Sequence, residues 1–280
     1  MAQKKIYSLV KNILFYGAIS LFVLIVMFPF IWQALTSFKP PEQINKMPPD
    51  WWPGRLWIEY YVNVFTKRPF LLYLKNSAVV SITTTIVSLA VGSFCAYALA
   101  RLRFRGKKVI LALVLSVSMF PHIATLSPMF LFLRKMELLN TYTGLVLPYT
   151  TFALPLTIWT LTSFFRELPK ELEEAAIMDG CSRIKAFWKV TIPLAAPGMF
   201  TTAILVFIAA WNEFLYALSF MTQDGMRTVP PGIAMFPGEH DLPWGDIAAA
   251  SVVVTVPLII LVLIFQRRII AGLTSGGVKG

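Results

Sequence analysis

Residues 166–198 read RELPKELEEAAIMDGCSRIKAFWKVTIPLAAPG. The stretch is too polar to cross a bilayer and too patterned to be disordered. Pro169 suits the first turn of a helix, and Glu171, Glu173 and Glu174 sit near the positive end of its dipole. Gly180 supplies a stop. Ser182 can cap a second short helix over about 183–190 that ends before Pro193. At about 100° per residue, Leu168, Leu172, Ala175, Ala176 and Asp179 share one side of the first helix, and Glu167, Glu171, Glu174 and Met178 share another. Ala175 and Ala176 leave a low strip that a second surface can approach closely. Two roles fit such a helix: docking a partner at a membrane surface, or lying on the lipid as an amphipathic helix. Glu167, Glu171, Glu173 and Glu174 would be repelled by an anionic leaflet, which favours docking.

On either side the chain turns apolar. Hydrophobic residues make up 57% of its 280 positions and charged residues only 14%. A soluble domain usually carries about 25% charged residues. A lipid-facing surface accounts for the shortfall, because hydrocarbon solvates no charge. A spanning helix needs roughly 20 apolar residues, and six stretches qualify: about 13–35, 73–100, 109–133, 143–165, 198–221 and 247–266. The sequence therefore predicts an all-α polytopic membrane protein, a single transmembrane domain over 1–280 with six spans, a polar loop at 166–197 and a tail at 267–280. The run that follows MAQKK is too long for a signal-peptide core and has no small-residue cleavage site after it, so it reads as a retained first helix. The second span is rich in hydroxyls (Ser77, Ser81, Thr83, Thr84, Thr85, Ser88, Ser93), which suits a helix buried in a bundle. Pro29, Pro121, Pro128, Pro148, Pro155 and Pro257 lie in or beside spans, where each removes a backbone donor and favours a kink.

The net charge of +11 has a topological cause. An even number of spans puts both termini on one side. If that side is the cytoplasm, it collects 16 of the 25 Lys and Arg residues, five of them in RLRFRGKK at 101–108. The last external loop, 222–245, carries one basic residue, Arg227, and the acids Asp224, Glu239 and Asp241. The charge thus marks sidedness rather than nucleic-acid binding. Cys95 and Cys181 form no metal-like pattern, and His122 and His240 lie far apart, so neither a disulfide framework nor a metal site is expected. GxxxxGK[ST], GxSxG and HExxH are all absent, so any nucleotide hydrolysis must come from another chain, and no catalytic residue is assigned here.

Glu174-Ala175-Ala176, followed by Asp179-Gly180 and Ile192-Pro193, closely resembles the EAA loop of binding-protein-dependent ABC importers. Cys181 stands where that family commonly has Ala, and Ile192 where it commonly has Leu. FIAAWNEFLYALSF at 207–220 and FQRRIIAGLTSGGVKG at 265–280 look like the MalG-type permease subunit of maltose/trehalose-class importers. FALPL at 152–156 and IPLAAPG at 192–198 look like the trehalose and maltose permeases within that group. The Lys and Arg bias puts both termini in the cytoplasm, and the resemblance implies a bacterial or archaeal inner-membrane protein. It implies a coupling surface of Glu174, Ala175, Ala176, Asp179 and Gly180, and a tail contact through Ser275, Gly276 and Gly277. It also implies four kinds of partner: a second homologous permease, a dimeric ABC ATPase that uses the ATP and Mg, an extracytoplasmic sugar-binding protein and membrane lipid. The chain itself would bind no cofactor, and its cargo would be a sugar such as trehalose or maltose.

Glu213 is the one acid inside an apparent span, after Trp211 and Asn212. Intramembrane carboxylates mark function. Equally, Glu213 could lie near the end of its span and bond a neighbouring helix. Aromatic faces and amides suit sugars, so Trp211, Asn212 and Glu213 are candidate path residues, although Trp also gathers at membrane interfaces. His122 reads as a packing histidine before a proton relay. Trp51, Trp52 and Trp57 read as an interface anchor or as a surface for a binding protein. An ion- or proton-coupled carrier is the rival reading. It would need titratable groups in mid-membrane, where only Glu213 and His122 stand, and it leaves the acidic loop without a role.

Overall fold

A computed structural model describes residues 2–236 and 242–275, with side chains described for 11–236 and 242–266. The described residues form helices and turns only. In chain order the helices are α1 (Ala2–Thr36), α2 (Pro41–Ile44), α3 (Glu59–Thr66), α4 (Phe70–Arg101), α5 (Lys107–Val117), α6 (His122–Lys135), α7 (Tyr142–Glu167), α8 (Lys170–Met178) and α9 (Arg183–Ala186). They continue with α10 (Ile192–Leu194), α11 (Ala196–Trp211), α12 (Leu215–Phe220), α13 (Val229–Ala234) and α14 (Trp244–Ser275). Four stretches are long and apolar enough to cross a membrane unbroken: Lys11–Thr36, Phe70–Arg101, Tyr142–Glu167 and Trp244–Gln266. Two more do so as bent pairs, α5 with α6 at 87° and Arg183–Leu194 with α11 at 77°. This is the all-α polytopic architecture that the apolar runs imply.

The prolines sort by what surrounds them. Pro29, Pro128, Pro148, Pro155 and Pro257 lie inside continuous helices, where neighbouring groups can take up the freed carbonyls. Pro121 instead marks the 87° bend between α5 and α6. Helical backbone also runs on past the expected end near 190. A π-helical turn at Phe187–Thr191 leads into α10, so Pro193 sits within helical backbone. It lies in the first turn of α10, where its missing N–H does least damage.

One unit of the chain comprises residues 1–68 and 236–255. Within it Phe28, Trp32 and Trp51 form an aromatic group with ring centroids 5.7–6.3 Å apart. The Lys39 ammonium lies 3.7 Å from the centre of the Trp32 ring. Burial pushes the Lys39 ammonium below its ordinary range, with Asp50 opposing the shift. Trp51 and Trp52 stay exposed, and Arg55 stacks on Trp57 at 4.6 Å. Arg68 pairs with Asp246 at 3.3 Å. A side chain at Gly245 would run into the Tyr60 ring, only 2.3 Å from an added Cβ. Tyr60 is pushed up to about 12 by burial first, then by Asp246, Glu42 and Glu59.

The second unit comprises 69–235 and 256–280. Its centre is α4, packed along α7 and α11. Lipid tails are as apolar as leucine, so helix packing in a bilayer depends on close approach rather than on expulsion of water. Two glycines permit it. An added Cβ at Gly92 of α4 would stand 2.5 Å from the Thr157 methyl of α7, and one at Gly198 of α11 would stand 2.3 Å from the Phe164 ring. The hydroxyl face of α4 lies inside, with Ser77, Ser81, Thr84, Ser88 and Ser93 all buried. Asn76 fastens one end of this unit. Its amide donates to the Gly225 and Arg227 carbonyls at 3.0 and 2.9 Å, and its oxygen accepts from the Tyr142 hydroxyl at 2.8 Å.

Candidate functional site

At one end of the second unit α8 stands as a short polar helix with a sharp stop. Pro169 precedes it in extended conformation, and Glu171 and Glu173 fill its first turn. Gly180 adopts φ +87°, the left-handed region where a side chain is strained. The Gly180 N–H donates to the Ile177 carbonyl at 3.0 Å, and the Cys181 N–H reaches back to Ala176 at 2.9 Å. This paired closure satisfies carbonyls that a helix end otherwise leaves orphaned. Ser182 then caps α9, its hydroxyl accepting from the Lys185 N–H at 3.3 Å.

α8 is clamped to the end of α4 by one buried cluster. Glu173 is 8% exposed. Its carboxylate accepts a hydrogen bond from the Tyr97 hydroxyl and lies 3.2 Å from the Arg101 guanidinium. The same guanidinium donates to the Leu168 carbonyl at 3.0 Å, just ahead of α8. Tyr97 in turn packs its ring on Phe187 at 4.9 Å, within a core of Ala96, Leu161, Phe165 and Ala195. The other side of α8 faces outward. Glu174, Ala175, Asp179 and Gly180 are exposed, Ala176 is half-buried, and Met178 is 86% exposed. Four of the five expected coupling residues thus lie open on one short helix and its stop. Beside them runs an open cleft of about 600 Å³ with Arg101, Arg103, Lys170 and Arg183 in its walls.

Sequence reading missed Arg101 and Glu173 as a pair. Periodicity treats one helix at a time and cannot show a contact across 72 positions. The available signal was Arg101 opening the basic run at 101–108, next to an acid-rich loop that had to lie on the same side.

A second candidate lies where two helices break. α5 gives way to α6 at Pro121, and α11 ends at Trp211, with three residues between it and α12. Between these breaks is a cavity of about 150 Å³ lined by Thr84, His122, Tyr149, Phe152, Glu213 and Tyr216 among apolar neighbours. Glu213 caps α12: its carboxylate accepts from the Tyr216 N–H at 2.9 Å and the Ala217 N–H at 3.1 Å. It also accepts from the Tyr149 hydroxyl of α7 at 2.5 Å. The Phe152 and Tyr216 rings stack at 19° to each other and the His122 ring is inclined at 29–31° to both, with centroids 4.3–6.0 Å apart.

Of the three expected path residues, only Glu213 reaches this cavity. Trp211 is buried against Phe207, with ring centroids 5.5 Å apart. Asn212 bonds back to its own helix at the Ile208 carbonyl, 2.9 Å away. Ser275 ends α14 with its side chain undescribed, and Gly276 and Gly277 lie outside the described residues. Among the described residues no three His, Cys, Asp or Glu side chains gather as a metal would require.

Residues 88–275 match the model of the family described as binding-protein-dependent transport system inner membrane component. The chain is 44% identical to the trehalose/maltose transport system permease protein MalG of Thermococcus litoralis, over 96% of this chain and 97% of that one. It is also 44% identical to the sulfoquinovosyl glycerol transport system permease protein SmoH of Agrobacterium fabrum, over 91% of this chain and 89% of that one. In fold it is similar to a chain of a bacterial ABC transporter involved in import of the acidic polysaccharide alginate. That likeness has a TM-score of 0.76 and 22% identity, and it covers 95% of this chain and 98% of the other.

Proposed function

Since the chain belongs to the family of binding-protein-dependent transport system inner membrane components, we propose that it is one permease subunit of an ATP-driven sugar importer. The observation that carries this reading is the likeness, along nearly the whole chain, to permeases named for a disaccharide and for a sugar glycoside. Trehalose and maltose are the first sugars to try. The charge distribution supports a cytoplasmic location for α8 and for both termini. The open face of Glu174, Ala175, Ala176, Asp179 and Gly180 would seat in an ATPase subunit, with Ser275, Gly276 and Gly277 making a second contact. ATP and Mg would be used by that ATPase dimer and not by this chain. A second homologous permease would complete the pathway, and an extracytoplasmic binding protein would deliver the sugar.

In this scheme closure of the ATPase pair displaces α8. The Glu173–Arg101–Tyr97 cluster carries the displacement into α4, α4 passes it to α7 through the close contact at Gly92, and α7 passes it to α11 through the close contact at Gly198. The two nucleotide states must hold α8 differently, or no coupling arises. Rigid-body motion of the packed spans would then switch access from outside to inside.

The test is affinity purification of the tagged chain in mild detergent, beside its Glu174→Lys variant. The expected result is recovery of an ATPase and a second permease, with the ATPase lost from the variant. A chain that purifies alone, or uptake that collapses with a proton uncoupler and ignores ATP, would overturn the reading.

A further inference from the structure

We propose that the cleft beside α8 holds the headgroup of an anionic phospholipid, a resident of the membrane rather than a passenger of the transport path. Its space of about 600 Å³ lies between the turn from α4 to α5, which contributes Leu102, Arg103 and Phe104, and α8 with Arg183 beyond it. Of the four cations in its walls only Arg101 is paired, with Glu173. Arg103, Lys170 and Arg183 make no ion pair or side-chain hydrogen bond among the described residues. One unpaired acid, Glu174, stands against those three. Arg105 and Lys108, next along the chain, are exposed and equally without an ion pair among the described residues. Like charges gathered around one space repel one another, and an anion placed among them relieves the repulsion.

The place and the lining decide which anion. α4 and α5 both belong to stretches apolar enough to cross a bilayer, so the turn that joins them lies at a membrane boundary, on the side that the basic bias assigns to the cytoplasm. Lipid phosphates are concentrated at that depth. A guanidinium offers parallel N–H donors to a phosphate, and Arg103 and Arg183 each supply such a fork. The cleft also leads to apolar surface. The Phe104 ring is exposed in its wall, and the Lys107 ammonium lies 5.4 Å from the centre of that ring. Val109 and Leu113 follow as exposed residues one turn apart at the start of α5. Acyl chains need apolar surface beside their headgroup, whereas an acidic protein segment does not. Basic pockets between spans on the cytoplasmic side are where anionic headgroups bind. The acids that keep α8 from lying flat on the leaflet do not oppose this, because Glu167 and Glu171 stand outside the cleft and Glu173 is already paired with Arg101.

The test uses the transporter as purified in mild detergent, with its accompanying subunits, exchanged into nanodiscs of equal parts phosphatidylglycerol and phosphatidylcholine. Native mass spectrometry counts each lipid retained on this chain. The wild type is expected to retain phosphatidylglycerol with about tenfold preference, and Arg103→Gln with Arg183→Gln should remove that preference, as the loss of two cations beside a lipid phosphate predicts. Arg103→Lys with Arg183→Lys should keep most of it. Arg134→Gln with Lys135→Gln removes the same charge from the end of α6 and should leave it unchanged. No preference in the wild type, or equal retention in the wild type and the cleft Gln variant, would overturn the proposal. So would a cleft Gln variant that sheds the ATPase while keeping its phosphatidylglycerol, since the cleft would then receive an acidic segment of that partner. Retention is read without any sugar, so a transporter that moves no sugar would overturn the functional reading and leave this one standing.

Discussion

Glu173 and Glu174 are neighbours in the chain and lie on different faces of α8: Glu173 is buried against Arg101, while Glu174 stands open to solvent. One residue of helix, about 100° of rotation, separates an internal anchor from a solvent-exposed carboxylate. The pair Glu173–Arg101 is well buried, with side-chain exposures of 11% and 6%.

Removing one partner of a buried pair strands the other's charge. Arg101→Met should therefore destabilise the seat of α8 by about 3–5 kcal/mol. Hydrogen exchange should quicken through 168–180 and leave α11 unaffected. Adding Glu173→Met should recover most of the loss, because the double variant buries no charge. Exchange in Arg101→Met as slow as in the parent would show that the pair does not hold α8.

Gly180 tests the stop of the same helix. An added Cβ there would meet nothing within 4 Å, so a substitution is penalised by backbone conformation alone. Gly180→Asn should be tolerated, and Gly180→Val should cost about 1–2 kcal/mol. The order of thermal stability should be Gly, then Asn, then Val. Uptake should follow the same order. Indistinguishable variants would mean the left-handed turn is not retained in the assembled transporter.

Gly92 and Gly198 test the packing of the span helices. Thr157 is β-branched and stiff, so Gly92→Ala forces backbone movement and should cost about 1–3 kcal/mol. Gly198→Ala drives a Cβ into the body of the Phe164 ring and should be at least as harmful, unless Phe164 is shortened to Leu. Midpoints of thermal unfolding in detergent would show both the loss and the rescue.

Glu213 gathers three donors. Glu213→Ala leaves the Tyr149 hydroxyl buried without an acceptor and uncaps α12, a loss of about 1–3 kcal/mol. Tyr149→Phe should be milder alone. In the Glu213→Ala background it should be nearly neutral, since the hydroxyl it removes is already stranded. Simple additivity in this double-mutant cycle would count against the bond.

Much of the fold was legible because a bilayer imposes one strong rule, roughly 20 apolar residues for each crossing. The polar helix at 170–178 was equally legible, since Pro169, the early acids and Gly180 act locally. What escaped was whatever depends on a second element. Pro121 marks a bend of 87°, whereas Pro148 and Pro155 lie in one continuous α7, and nothing local to those prolines distinguishes them. The break after Trp211 follows from Glu213 turning back to cap α12, which is visible only once Tyr216 and Ala217 are in place. Trp211 and Asn212 adjoin Glu213 in sequence but do not share its cavity, because the helix end turns each of them elsewhere.

The two-sided construction of α8 also bears on how such transporters diversify. Leu172, Glu174 and Met178 can be exchanged without disturbing Glu173, Arg101 or Tyr97, since none of the three belongs to the buried cluster. If the outward face seats in an ATPase as proposed, a lineage could alter which motor it accepts through a few outward substitutions and keep its internal linkage whole. Duplicated importers carrying different cargo could share one motor, or acquire a private one, in small evolutionary steps.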